Sequence, residues 1–87
     1  DAQLKAVIDR TVARWQEVKN KEMYYIMTAA DSEDEAFETS LACFRGFAVC
    51  LQGSQEKGVI RGGGVYEAGA VKGTKDMQEA YEMGRNV

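Results

Sequence analysis

The chain contains no histidine among its 87 residues. Neither a Ser-His-Asp nor a Cys-His nucleophile can therefore be assembled within it. Two cysteines without histidine also leave too few ligands for a typical zinc site. Cys43 and Cys50 fall within one predicted helix, about 10 Å apart along its axis, too far for a disulfide with each other. They read as small apolar side chains on one helix face, with a redox or cluster role as the alternative. Reduced thiols suit a cytoplasmic protein. No apolar run approaches the roughly 20 residues that span a bilayer. No basic block offsets the net charge of −3, which argues against nucleic acid or an anionic membrane as partner. Proline is absent. With short connections and no linker or repeat, this favours one compact unit.

A chain of this length buries only about 60% of its unfolded surface. It begins at Asp1 rather than methionine, as a processed or partial polypeptide would. Its first residues are charged and amphipathic, unlike a secretory signal.

Lys21 to Glu35 is the most informative stretch. Met23-Tyr24-Tyr25-Ile26-Met27 is short, almost continuously apolar and rich in strand formers, so it reads as a strand buried on both faces. Thr28-Ala29-Ala30-Asp31 ends it, and Ser32 with Glu35 fits a capping box opening a helix. A strand passing through a small-residue loop into a helix builds ligand sites in open α/β sheets.

The periodicity of Leu4, Val7, Ile8, Val12, Trp15 and Val18 predicts a first helix over Ala2 to Val18. Phe37, Leu41, Phe44, Ala48 and Leu51 predict a second over Glu33 to Leu51, with Gly46 as a point of close packing and Gly53 as its stop. A weaker strand falls between Gly58 and Tyr66, divided by glycines. Glu67 to Lys75 reads as a loop, and a last helix starts at a Thr74 cap. Helix, strand, helix, strand, helix argues for parallel strands with right-handed crossovers. Two parallel strands leave an open edge, and about five are usual. Further strands are therefore expected from the rest of the polypeptide, a second chain or a swapped dimer.

The words along the chain add a family resemblance. Gln3-Leu4-Lys5-Ala6-Val7-Ile8-Asp9-Arg10, Tyr24 to Asp31, Phe44-Arg45-Gly46-Phe47 with Cys50-Leu51, Lys57 to Tyr66, and Ala80-Tyr81-Glu82-Met83-Gly84-Arg85-Asn86 resemble, in this order, the C-terminal half of flavodoxin-fold NAD(P)H-dependent FMN reductases and related flavodoxin-family oxidoreductases. The resemblance covers nearly all of this chain and about half of a family member. It implies a three-layer αβα fold when complete, FMN as cofactor, NAD(P)H as co-substrate, and a homo-oligomer. The family's first strand, its phosphate-binding loop and the aromatic loop after its third strand have no counterpart here, so this chain alone is expected to bind flavin weakly or not at all.

By resemblance, Thr28, Ala29, Ala30 and Asp31 flank the isoalloxazine ring. Val65 to Lys72 is the segment expected to border the substrate or nicotinamide entrance or a dimer contact, with Tyr66 as its aromatic. A helix-capping loop is the alternative for Thr28 to Asp31. Gly62-Gly63-Gly64 matches no phosphate-loop spacing and reads as a turn or bulge. Trp15 reads as core or interface packing, and Tyr24 and Tyr25 as opposite faces of one strand. The expected function is part of an FMN-dependent NAD(P)H oxidoreductase passing hydride to FMN and then to a quinone, flavin or other acceptor. A flavodoxin-like electron carrier and a non-catalytic fragment assembling through its open strand edge are the alternatives.

Overall fold

The chain folds around one pair of parallel strands. The computed structural model describes residues 1–87. Helix α1 (Ala2–Arg10) runs into a 3-10 turn (Thr11–Arg14) and leads to strand β1 (Glu22–Thr28). Helix α2 (Glu35–Ala48), strand β2 (Gln55–Gly62) and helix α3 (Lys75–Arg85) follow. β1 and β2 pair in parallel, with Tyr25 beside Val59, Ile26 beside Ile60 and Thr28 beside Gly62. The expected alternation of helix and parallel strand is thus present as an α/β fold with a two-stranded sheet.

Side-chain alternation assigns the two faces. Tyr25 and Met27 point toward α2 and form the core with Phe37 and Leu41, flanked by Met23, Phe44, Ala48 and Val59. Leu41 is fully enclosed. The Tyr25 ring stacks on Phe44, with centroids 5.1 Å apart and planes 4° apart. The opposite face carries α3. Gly58 leaves room there for Met83 and Tyr24, and Gly62 brings the backbone near Asp76.

Several expected boundaries move, each for a local reason. The first helix stops being α-helical at Arg10. Thr11 donates its hydroxyl proton to the Ile8 carbonyl at 2.7 Å, a back-bond that disturbs helices, and no residue of this helix is buried against the body to hold it straight. The second strand begins earlier, at Gln55, and stops at Gly62. Glu56 and Gly58 face consecutive residues Met23 and Tyr24, so polar Lys57 sits at a bulge. Val65 and Tyr66 lie beyond the strand because the chain turns at Gly64, whose φ is 71°.

The expected capping box does not form. The Asp31 carboxylate accepts from the Glu33 amide at 2.9 Å, and α2 starts three residues beyond Ser32 without a side-chain cap. Gly46 is also not a close-packing point, since nothing lies within 4 Å of where its Cβ would stand. Thr74 behaves as expected and accepts from the Met77 amide at 3.2 Å. Gly53 does not stop the second helix, which ends at Ala48 with Val49 as its cap and short of the expected Leu51; its φ of 73° serves the turn before β2 instead. Cys43 and Cys50 are both free and exposed.

An ion pair fastens α2 to the start of β2. Arg45 donates Nε and a terminal nitrogen to the two Glu56 oxygens, each at 2.8 Å. This bond holds the Glu56 carboxyl below the ordinary glutamate range, with a smaller contribution from Arg61. Nearby, the buried Tyr25 hydroxyl has no hydrogen-bond partner. Burial, then the charge of Glu56, pushes this phenol up, against a smaller pull from Arg45.

Two outcomes follow from these contacts. An unpartnered buried hydroxyl costs about 1–3 kcal/mol, so Tyr25→Phe leaves stability unchanged or raises it in urea denaturation. A clear loss would show that the hydroxyl contributes a bond. Because the Glu56 pKa is lowered in the folded state, its contribution is present above the unfolded glutamate pKa and is lost as pH falls through the folded one. Glu56→Gln should therefore be less stable than the parent near neutrality and converge with it under acid, as read by unfolding midpoints against pH.

Candidate functional site

The register that sets Thr28 beside Gly62 brings both strands to an end at one level. Their outgoing loops leave the sheet together and are tied by backbone bonds. Ala29 donates to the Gly62 carbonyl at 3.1 Å, Gly64 to Asp31 at 3.1 Å, and Val65 to Ala29 at 3.0 Å. Gly63 permits this approach. A Cβ there would stand 2.9 Å from the Asp31 carbonyl oxygen and 3.0 Å from the Ser32 Cα. The glycine run is a turn shaped by its neighbouring loop.

Thr28, Ala30 and Asp31 are exposed, and Ala29 is half-buried. The Thr28 hydroxyl makes no hydrogen bond within the chain, and the amides of Ala30 and Asp31 donate to no protein acceptor. These three donors lie within four residues, at the carboxyl end of a parallel strand. Tyr66, 83% exposed, directly follows Val65, whose amide is bonded to Ala29. The structure therefore brings Tyr66 and Thr28–Asp31 to one rim, although they are far apart in sequence. Gly63 and Val65 join them; Val65 belongs to the segment that the sequence placed beside the substrate entrance, whereas Gly63 was not marked as a site residue. The signal for Gly63 lay in the glycine run, but its purpose depends on a loop about 30 residues away.

The charge at this rim is negative. Asp31, Glu33, Asp34 and Glu35 gather where α2 begins, which suits the positive end of the helix and repels a phosphate. Free amides and a hydroxyl instead match neutral carbonyl acceptors on a flat ring. The rim is open. The nearby cavity under α3, touching Thr28, Gly62, Asp76 and Met77, holds about 140 Å³, below the roughly 300 Å³ at which small-molecule pockets begin. A groove of about 680 Å³ lies elsewhere, between the 3-10 turn and the end of α2, lined by Ile8, Val12, Trp15, Phe47 and Leu51. Trp15 is 46% exposed there. It packs along a groove and is not enclosed in the core.

No group of histidine, cysteine or carboxylate side chains has the arrangement of a metal site. No helix is long and apolar enough to cross a membrane. The fold and the paired loops define an α/β protein whose accessible donors stand at the carboxyl ends of parallel strands, where open sheets of this class bind ligands. No family model, curated protein or solved structure was found to match the chain.

The loop pair depends on the missing side chain at Gly63. Gly63→Val should force the loops apart at a cost of about 1–3 kcal/mol, the usual range for overpacking. Faster hydrogen exchange at the Gly64 and Val65 amides would report the separation, and unchanged exchange would mean that the loops do not depend on this contact.

Proposed function

We propose that this chain forms one wall of the flavin site of an FMN-dependent NAD(P)H oxidoreductase of the flavodoxin-like class. The observation that carries the reading is the set of free donors at the end of β1: the Thr28 hydroxyl and the amides of Ala30 and Asp31. They suit the carbonyl-bearing edge of an isoalloxazine ring. Parallel strands flanked by α2 and α3 are compatible with the same class. FMN, when bound, supplies the hydride chemistry, and the protein supplies binding, orientation and electrostatics.

Each residue then has a limited task. Ala30 and Asp31 donate backbone protons to ring carbonyls, and Thr28 donates through its hydroxyl. Ala29 and Ala30 keep side chains short where the ring approaches. Tyr66 offers an aromatic face at the rim, positioned by Val65. The acidic start of α2 repels phosphate, so the phosphate of FMN is held by the other half of the fold, which also completes the sheet beyond β1. The hydride donor is NADH or NADPH, and the acceptor a quinone, flavin or similar small molecule. A flavodoxin-like electron carrier would use the same donors. Oxidation of reduced nicotinamide by a polypeptide carrying both halves separates the enzyme from the carrier.

The rim itself can be tested with this chain. FMN added at millimolar concentration should shift the amide resonances of Ala30 and Asp31, with smaller changes at Gly63 to Tyr66. Thr28→Val should weaken the response several-fold. Shifts confined to the Trp15 groove would overturn the assignment, and so would the absence of any shift at this rim in a polypeptide that carries both halves.

A further inference from the structure

The edge of β1 facing away from β2 is lined as a groove. Leu4 and Ile8 of α1 stand on one side, Phe44 and Phe47 extend it, and the consecutive residues Met23, Tyr24, Tyr25 and Ile26 form its floor. Consecutive strand residues point to opposite faces, so a groove touching all four runs along the strand edge. Ile26, 58% exposed, and Val7, 60% exposed, leave apolar surface beside it.

The backbone on this edge has a definite parity. Lys21 accepts from Gln55, and Ala29 donates to Gly62. Along a parallel strand, alternate residues direct both backbone groups to the same side. The bulge falls at Lys57 of β2, so the alternation in β1 is unbroken. Odd-numbered residues therefore bond to β2, while Tyr24, Ile26 and Thr28 present N–H and C=O to the open edge.

We propose that in the 87-residue chain this edge pairs with β1 of a second copy, antiparallel about a two-fold axis at Tyr25. The strand is self-complementary in that register. Tyr24 meets Ile26 of the other copy, and Glu22 meets Thr28. These are pairs in which both residues present outward groups, as a hydrogen-bonded antiparallel pair requires. Met23 meets Met27, and Tyr25 meets itself, at the non-hydrogen-bonded positions. The two-fold keeps the α2 faces together and the α3 faces together. The strand's one charged residue faces threonine, whereas parallel self-pairing would set Glu22 beside Glu22. Tyr24 opposite Ile26 is an aromatic and β-branched pair, a favourable cross-strand combination. The product is a four-stranded sheet, within the usual size.

The surface area is consistent with a missing partner. The chain exposes 6604 Å², roughly 1,500 Å² more than the approximately 5,100 Å² expected for a compact 9.6 kDa protein. A stable interface takes about 800 Å² from each partner. The pairing concerns the 87-residue chain by itself, and its test is separate from that of the flavin reading. In a polypeptide that supplies its own neighbouring strand the same edge is occupied internally, and the flavin-shift experiment reads the loops and not this edge.

Sedimentation of the intact chain from low to high micromolar concentration tests the pairing. A reversible species of about twice 9.6 kDa is expected, with slow hydrogen exchange at Tyr24 and Ile26. Ile26→Pro removes an outward N–H and no bond to β2, so it should give a monomer with unchanged helical circular dichroism. Should that variant misfold, Ile26→Lys places a charge on the same edge and should also give a monomer, while Tyr81→Ser on α3 remains dimeric. A parent chain that stays monomeric throughout overturns the proposal. So does a dimer that survives both Ile26 variants, or a monomer that pairs only with an added extended peptide of different sequence.

Discussion

The parallel pairing of β1 with β2 is the constraint on which the rest of the structure depends. Its register places Tyr25 beside Val59 and Thr28 beside Gly62. The first pairing aligns the apolar face that α2 covers. The second makes the strands end together, which puts the Thr28–Asp31 loop against Gly63. A slip by one residue would turn Tyr25 and Met27 toward α3 and Ile26 toward α2. It would also separate the loops. Core and candidate site are therefore two consequences of one alignment. The Arg45–Glu56 ion pair reinforces it from the α2 side, at the end of the strands remote from the loops.

Much of this arrangement was legible in the sequence because it rests on short-range patterns. The apolar run Met23 to Met27 marked β1, and the spacing of Phe37, Leu41 and Phe44 marked the buried stripe of α2. Thr74 marked the cap of α3. What escaped reading depends on contacts distant in sequence. Ser32 and Glu35 have the pattern of a capping box, but Gly63 packs against Ser32 and the Asp31 carboxylate takes the Glu33 amide. Val65 and Tyr66 have strand character, yet the turn at Gly64 sends Val65 across to Ala29. Local preference yielded to tertiary packing in both places.

The expectation of burial on both faces of β1 is met on one. Tyr25 and Met27 are enclosed by α2, whereas Ile26 is largely exposed. The reason is where α3 sits. It packs mainly over β2, where Gly58 and Gly62 admit it, and leaves much of β1 uncovered on that side. Periodicity can show that a residue is suited to burial, but it cannot show which neighbour provides it. The same limit applies to α1. Its apolar stripe was plain in the sequence, and no residue of the helix is buried.

These exposed surfaces border the same edge of the sheet, Ile26 on the α3 face and α1 on the α2 face. The open edge of β1, the uncovered part of Ile26 and the apolar stripe of α1 border one space, and the radius of gyration of 14.1 Å exceeds the roughly 12 Å of a compact domain of this length. Exposed apolar residues occur elsewhere too, such as Val49, Tyr66 and Tyr81, but only here do they stand beside unpaired strand backbone. In the proposed pairing the second copy's strand meets both, and its backbone bonds to Tyr24, Ile26 and Thr28. The last of these also carries the hydroxyl at the candidate site. Completing the sheet and closing the ligand rim are thus coupled at Thr28: its backbone belongs to the strand edge and its side chain to the loop.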